Sequence, residues 1–210
     1  MITVIQPDPI VGLDRFENWL DDEYEIVPPT PSLEDCGDRI IVLGGRMNAI
    51  DGDWLEELRQ LLIEAVSQGV PVLGICLGHQ ILATAFGGDV SLNSGVEDGP
   101  FKIELTEEGL GDPMFSGING EFVAAESHYD SVTKIPEDAV LLASSEKAIQ
   151  AFRIGSAIGV QFHPEASPKT MAFWATLSDQ SEEEMLTKMS AVDDRIVAVG
   201  QSIAKNFGDL

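Results

Sequence analysis

Cysteine is scarce in this chain. Cys36 and Cys76 are its only two, too few for a disulfide framework. The expected setting is therefore a reducing cytoplasm, where a reactive thiol stays usable. Positive charge is scarce too. The 12 Lys and Arg face 36 Asp and Glu, for a formal net charge of −24, and no run of basic residues exists. Phosphate-backbone binding needs clustered Lys and Arg, so nucleic acid and anionic membrane are rejected as partners. The acidity reads as a well-solvated, self-repelling surface; a salt-adapted host and a basic partner protein are the sharper alternatives. No stretch approaches the ~20 apolar residues of a membrane helix. The start, Met1 to Pro9, has no charged segment followed by a long apolar run, which argues against a signal peptide. No internal repeat or low-complexity linker is found. Neither a Cys/His cluster with metal-ligand spacing nor a phosphate-binding Gly-x-x-x-x-Gly-Lys loop is present, so neither a cofactor nor a metal is expected.

What is present is ordinary for a globular protein. The 210 residues are 44% apolar, enough for one large domain with a buried core. Short apolar runs alternate with helical patterns. Ile2 to Gln6, Tyr24 to Val27, Arg39 to Leu43 and Val70 to Ile75 read as strands. Asp14 to Asp21, Asp53 to Gln68 and Leu77 to Phe86 read as helices, the second with Trp54, Leu55, Leu58, Leu61, Leu62, Ala65 and Val66 near a 3.6 period. Gly69 sits where a glycine ends a helix. Continuous apolar strands alternating with helices imply an α/β, three-layer sandwich: a mostly parallel central sheet with helices on both faces.

From Asp89 to Ala143 the pattern alternates, as in Phe101-Lys102-Ile103-Glu104-Leu105. That segment predicts antiparallel strands extending the sheet. Gln150 to Arg153 and Ala157 to Phe162 predict a hairpin. Residues 1–210 are expected to form a single domain, with 167–210 a helical tail packed on it: one helix near Lys169 to Leu177, a longer one near Glu182 to Phe207. Ser181 followed by Glu184 gives the longer helix a capping-box start.

The chemistry concentrates in Gly74-Ile75-Cys76-Leu77-Gly78-His79-Gln80. A strand ends at Ile75 and a helix begins just after Cys76, a turn that exposes a nucleophile at the carboxyl edge of the sheet. A helix N-terminus favours a thiolate and offers free N–H groups to an oxyanion. A lone cysteine after a strand is usually a small buried hydrophobe. Core packing, however, gives no reason to place glycines, a His and a Gln around it. A thiol nucleophile needs a base, and only His79, His128 and His163 exist. His163 ends a strand in Gly159-Val160-Gln161-Phe162-His163-Pro164-Glu165, and Glu165 is placed to hold the imidazole in the useful tautomer. Alone, a His-Pro-Glu tripeptide would usually be a turn; its force comes from the cysteine elbow.

Together these motifs resemble the class I glutamine amidotransferases, over most of the chain from about Ile2 to Glu165. The resemblance implies a Cys-His-Glu triad of Cys76, His163 and Glu165. The Gly44-Gly45 turn is similar to the family's glycine pair, which implies an oxyanion hole from the backbone N–H groups near Gly45 and Leu77. Gln80 matches a position contacting the substrate's amino-acid end. Ser127-His128-Tyr129-Asp130 resembles the Ser-His-x-Asp segment of the GMP synthetase-type branch. That makes Tyr129 and Asp130 candidate substrate contacts, against the alternative of a surface loop with a satisfied histidine. His79 reads as structural and Cys36 as incidental. Arg46 stands where many relatives carry proline. The chain ends about 45 residues after Glu165 without a synthetase domain, so a stand-alone unit is expected.

The implied reaction is cysteine-dependent hydrolysis of the side-chain amide of glutamine, or of a γ-glutamyl small molecule, through a γ-glutamyl thioester. Three roles stay open: a self-sufficient hydrolase, a glutaminase that is active only with a synthetase partner protein, and a catalytically silent binding or regulatory module on the same fold.

Overall fold

A computed structural model describes residues 1–210. In chain order its strands and helices are β1 (Ile2–Ile5), α1 (Phe16–Trp19), β2 (Tyr24–Val27), β3 (Arg39–Val42), α2 (Asp53–Ser67), β4 (Val72–Ile75), α3 (Leu77–Ala85), β5 (Asp89–Ser91), β6 (Glu97–Leu105), α4 (Glu107–Gly111), β7 (Glu121–His128), β8 (Ser131–Lys134), β9 (Val140–Ser144), β10 (Ile149–Ile154), β11 (Ala157–Val160), α5 (Pro168–Leu177), α6 (Glu182–Ser190) and α7 (Asp193–Gly208). Nine strands make one sheet in the order β2-β1-β3-β4-β11-β10-β9-β6-β7. The β2, β1, β3, β4 and β11 half is parallel, and the β10, β9, β6 and β7 half is antiparallel. This is the expected α/β architecture with its antiparallel extension. No helix is long and apolar enough to cross a membrane.

The continuous apolar strands are buried on both faces, and alternation divides their side chains. Ile2, Val4, Ile41, Leu73 and Ile75 join Phe16 of α1 and Ile203 and Phe207 of α7 in one cluster. Ile5, Ile40, Val42 and Val72 join Leu55, Leu58 and Leu62 of α2 and Ile81 and Leu82 of α3 in another. Each fully buried aliphatic chain of this kind contributes about 1.5–3 kcal/mol. At the end of α2, Gly69 adopts φ +76°. The Val70 N–H then reaches the Ala65 carbonyl at 2.9 Å and the Gly69 N–H that of Val66 at 3.0 Å, the paired bonds of a Schellman ending.

Three expectations need correction. The helix predicted over Asp14 to Asp21 is only Phe16–Trp19. Asp14 takes a left-handed φ of 44°, and its carboxylate accepts from the Ser167 N–H at 2.6 Å, so a tertiary contact overrides local periodicity. The antiparallel segment does not all join the main sheet: β5 and β8 pair as a separate ribbon. The long helix from Glu182 to Phe207 is two helices, broken at Ala191-Val192. Met185 and Met189 bury with Met171 and Trp174 of α5, whereas Val199, Ile203 and Phe207 bury against the sheet. One straight helix cannot serve both faces. Asp193 opens α7 and is held by a two-pronged ion pair with Arg15, at 2.8 and 2.7 Å. The Ser181 cap is present, accepting from the Glu184 N–H at 3.3 Å.

Candidate active site

The site lies at the carboxyl ends of β3, β4 and β11. Cys76 forms the sharp turn between β4 and α3 with φ 51° and ψ −101°, a backbone state that costs a non-glycine residue roughly 1–3 kcal/mol. The turn is held because the Cys76 N–H donates to the Val160 carbonyl at 2.8 Å. It is also held by close packing: a Cβ on Gly78 would run into the Val42 carbonyl, and one on Gly74 would lie 2.6 Å from the Gly78 backbone. Only bare backbone lets α3 start so near the sheet.

His163 follows β11, its N–H donating to the Ala125 carbonyl of β7 at 2.8 Å. Its Nδ1 is 2.7 Å from Glu165 Oε1, and Glu165 is fully buried. With Nδ1 held by the carboxylate, Nε2 is the nitrogen free for other work. A Cβ placed on Gly44 would come 3.0 Å from His163 Cε1 and 3.5 Å from Cys76 Cβ. The glycine turn, the imidazole and the cysteine therefore meet at one point. Burial opposes charge on His163, but the facing Glu165 carboxylate and Cys76 sulfur outweigh it and hold the imidazolium well above its ordinary range.

A cavity of about 290 Å³ opens over Cys76 and His163. Gly45, Gln80, Tyr129 and Asp130, all named from the sequence, line it. Leu77 is the first residue of α3, where an N–H has no intrahelical acceptor. The Gly45 N–H likewise has no backbone acceptor. Gln80 is nearly buried; its Nε2 donates to the Asp130 carbonyl at 2.9 Å and to Gln161 Oε1 at 3.1 Å. The Asp130 carboxylate accepts from the Asn93 N–H at 2.9 Å. Tyr129 is 41% exposed at the rim. His128 is buried rather than lying on a surface loop. His79 is a core residue, its ring 4.9 Å from that of Phe152; burial pushes it down to about 3, so it is neutral. Cys36 lies outside this cavity, with its thiol on the Ser32 carbonyl.

The geometry adds residues that the sequence reading missed. Trp174 of α5 lays its ring 4.7 Å from that of His163, and Leu177, Ser178 and Val11 complete that wall. No motif marks them. Glu97 and Glu126 are buried beside His128. Here a signal existed: Phe122, Ala124, Glu126 and His128 follow a two-residue period, which places both polar residues on the same face as the apolar ones. Glu97, Glu126 and His128 also carry ligand types suited to a divalent ion, with donor atoms within 4.8 Å of one another. His128 Nε2 is hydrogen-bonded to Glu97 at 3.2 Å and lies 3.3 Å from Glu126 Oε2, which has no hydrogen-bond partner.

The family model for glutamine amidotransferase class-I matches residues 19–174, more than half of the chain. The chain belongs to the class-I glutamine amidotransferase family. Among relatives of this amidotransferase, a subunit of the glutamine-hydrolyzing GMP synthase of Methanopyrus kandleri is 35% identical over 148 residues, 67% of this chain and 75% of that protein. Its counterpart in Methanococcus maripaludis strain C7 is 42% identical over 163 residues, 74% of this chain and 81% of that protein. A crystal structure of a glutamine amidotransferase from Methylobacillus flagellatus superposes with a TM-score of 0.87 at 26% identity, over 98% of this chain and 93% of that one.

Proposed function

We propose that this amidotransferase hydrolyses the side-chain amide of glutamine by two-step acyl transfer on Cys76. The observation that carries the reading is the convergence of a strained cysteine elbow on a buried His163–Glu165 pair at 2.7 Å. The Cys76 thiolate attacks the amide carbon, and the tetrahedral oxyanion is received by the backbone N–H groups of Gly45 and Leu77. The His163 imidazolium gives its proton to the departing nitrogen, and ammonia leaves a γ-glutamyl thioester. Neutral His163 then takes a proton from water as the oxygen attacks the thioester. Collapse of the second tetrahedral state releases glutamate and restores the thiolate. Glu165 keeps Nδ1 protonated throughout. Gln80, Tyr129 and Asp130 hold the amino-acid end, with the Asp130 carboxylate suited to the α-ammonium.

Relatives named as one subunit of a glutamine-hydrolysing GMP synthase support a second part of the reading. The ammonia is delivered to a separate synthetase chain in the cytoplasm rather than released as waste. The test is ammonia release from glutamine and a panel of γ-glutamyl compounds, with Cys76→Ser as control, with and without the synthetase of the same organism. Cys76-dependent release from glutamine, raised by the synthetase, is expected. A Cys76→Ser protein with near-normal turnover overturns the mechanism. Turnover of γ-glutamyl compounds but not glutamine, with or without synthetase, overturns the substrate.

A further inference from the structure

His128 lines the cavity and heads a buried cluster that the two-step reaction does not use. His128 ends β7, and both of its ring nitrogens are committed. Nδ1 is 3.1 Å from the Asp130 carbonyl oxygen. A carbonyl can only accept, so Nδ1 carries a proton. Nε2 sits 3.2 Å from Glu97 Oε2 and 3.3 Å from Glu126 Oε2. Glu97 Oε2 also accepts from Gln150 Nε2 at 2.7 Å and the Ser145 hydroxyl at 3.0 Å, so it stands as an acceptor toward the imidazole, and Nε2 carries a proton as well. Glu126 Oε2 approaches Nε2, but neither oxygen of Glu126 has a hydrogen-bond partner, and burial, against the pull of His128, holds its carboxyl above the usual range. Burial opposes the positive form of His128, but Glu126, Glu97 and the Cys76 sulfur outweigh it. Asp98 and neutral His79 lie further out in its field.

The Asp130 carbonyl that receives His128 also receives Gln80 Nε2, at 2.9 Å. A continuous path therefore runs from the buried Glu97 carboxylate, through the imidazole, to the peptide and the Gln80 side chain that line the cavity.

We infer that His128, held as an imidazolium between Glu97 and Glu126, is a positioning residue that sets the grip on the substrate's amino-acid end through Asp130 and Gln80. The inference rests on the glutaminase reading of the same pocket. It assigns the cluster to substrate binding and leaves the chemical step to Cys76, His163 and Glu165. A buried cluster of this kind serves because a charge-assisted bond resists thermal displacement better than a neutral one.

Two variants separate the ring nitrogens. In His128→Asn the amide nitrogen stands near Nδ1 and keeps a donor for Asp130. In His128→Gln it stands near Nε2 and keeps only the carboxylate contact. Each is made together with Glu126→Gln, so that no extra buried charge is left unpaired. Glutamine affinity is measured by calorimetry in the Cys76→Ala background, and KM and kcat in the Cys76 enzyme. The His128→Gln pair should weaken binding and raise KM about tenfold, with kcat within about threefold of the parent. The His128→Asn pair should recover most of the affinity. Unchanged affinity in the folded His128→Gln pair, or a loss carried by kcat alone, overturns the inference. Should both pairs fail to fold, nitrogen NMR of the intact protein decides: two protonated ring nitrogens on His128 at pH 8 are expected, and a singly protonated ring overturns it. Failure of the parent to bind or turn over glutamine would instead overturn the glutaminase reading, and the NMR result stands apart from that.

Discussion

Arg46 grips Asp8 through three donors: its backbone N–H at 3.2 Å, Nε at 2.7 Å and Nη2 at 3.2 Å. Asp8 follows β1 and Arg46 follows the Gly44-Gly45 turn, so the contact ties the proposed oxyanion loop to the neighbouring strand. Of the three donors one is the backbone N–H, which a proline at this position would lack. Burial works against charge on Asp8, but the Arg46 donors and the Ile10 N–H outweigh it and hold the carboxyl below its usual range. A lowered value means that the tether's stabilisation is present above the ordinary carboxylate range and is lost only as pH falls through the lowered value. Asp8→Asn should therefore lower kcat by about ten- to a hundredfold through a misplaced Gly45 donor. Alkylation of Cys76 should stay near normal. Steady-state kinetics beside an iodoacetamide time course checks this, and a normal kcat would show that the loop holds itself.

The elbow at Cys76 should show a conflict between stability and activity. With φ 51° and ψ −101°, the residue sits where glycine is at ease and a side chain is not. Cys76→Gly should raise stability by about 1 kcal/mol while abolishing turnover. Cys76→Ser keeps the strain and should melt close to the parent. Thermal unfolding of the three proteins side by side reads the difference. A Cys76→Gly protein that melts below Cys76→Ser would mean that the thiol's packing outweighs the backbone cost.

The sheet and the central residues were legible because their signals are local. Apolar β-branched runs at Arg39 to Leu43 and Val70 to Ile75 specify buried strands, and the glycines around Cys76 specify a crowded strand-to-helix turn. The two breaks in the helices came from distant partners. Asp14 leaves the helix because Ser167, far along the chain, needs its carboxylate. The tail helix breaks at Val192 because its two halves face different surfaces. Asp8 and Glu97 went unnoticed for a related reason: in sequence each looks like any other of the 36 acidic residues until the fold shows which are buried. Trp174 depends on α5 folding back over His163, which no nearby residue announces.

Removing the Glu165 carboxylate should reshape the pH profile rather than merely lower it. The imidazolium of His163 is held well above its ordinary range by Glu165 and by the Cys76 sulfur, against the pull of burial. A raised value keeps the proton available below it and loses it as pH rises through it. Glu165→Gln leaves burial unopposed by the carboxylate, so the value drops and the proton donor is lost at lower pH. The deficit in kcat/KM should therefore widen between about pH 6 and pH 8, reaching roughly a hundredfold or more at the upper end. A deficit constant across that range would mean that Glu165 acts by orientation alone.

Close packing beneath the elbow leaves Gly78 no room for a methyl group. A Cβ there meets the Val42 carbonyl, and Val42 Cβ at 3.0 Å. The opposing atoms belong to a central parallel strand hydrogen-bonded on both sides, so they cannot yield as a flexible side chain would. Gly78→Ala should cost about 1–3 kcal/mol or more and push α3 away from β3. Because Leu77 and Gln80 ride on the same helix, glutamine turnover should fall further than the lost stability explains at temperatures where the protein remains folded. Gly87, which ends the same helix with open space around it, supplies the control. Gly87→Ala meets only the strain of its φ of 84° and should lose about 1 kcal/mol with turnover intact. Denaturant unfolding of both variants, with kcat measured well below each midpoint, separates a local clash from a general loss of glycine. Equal effects at the two positions would remove the packing argument for the elbow.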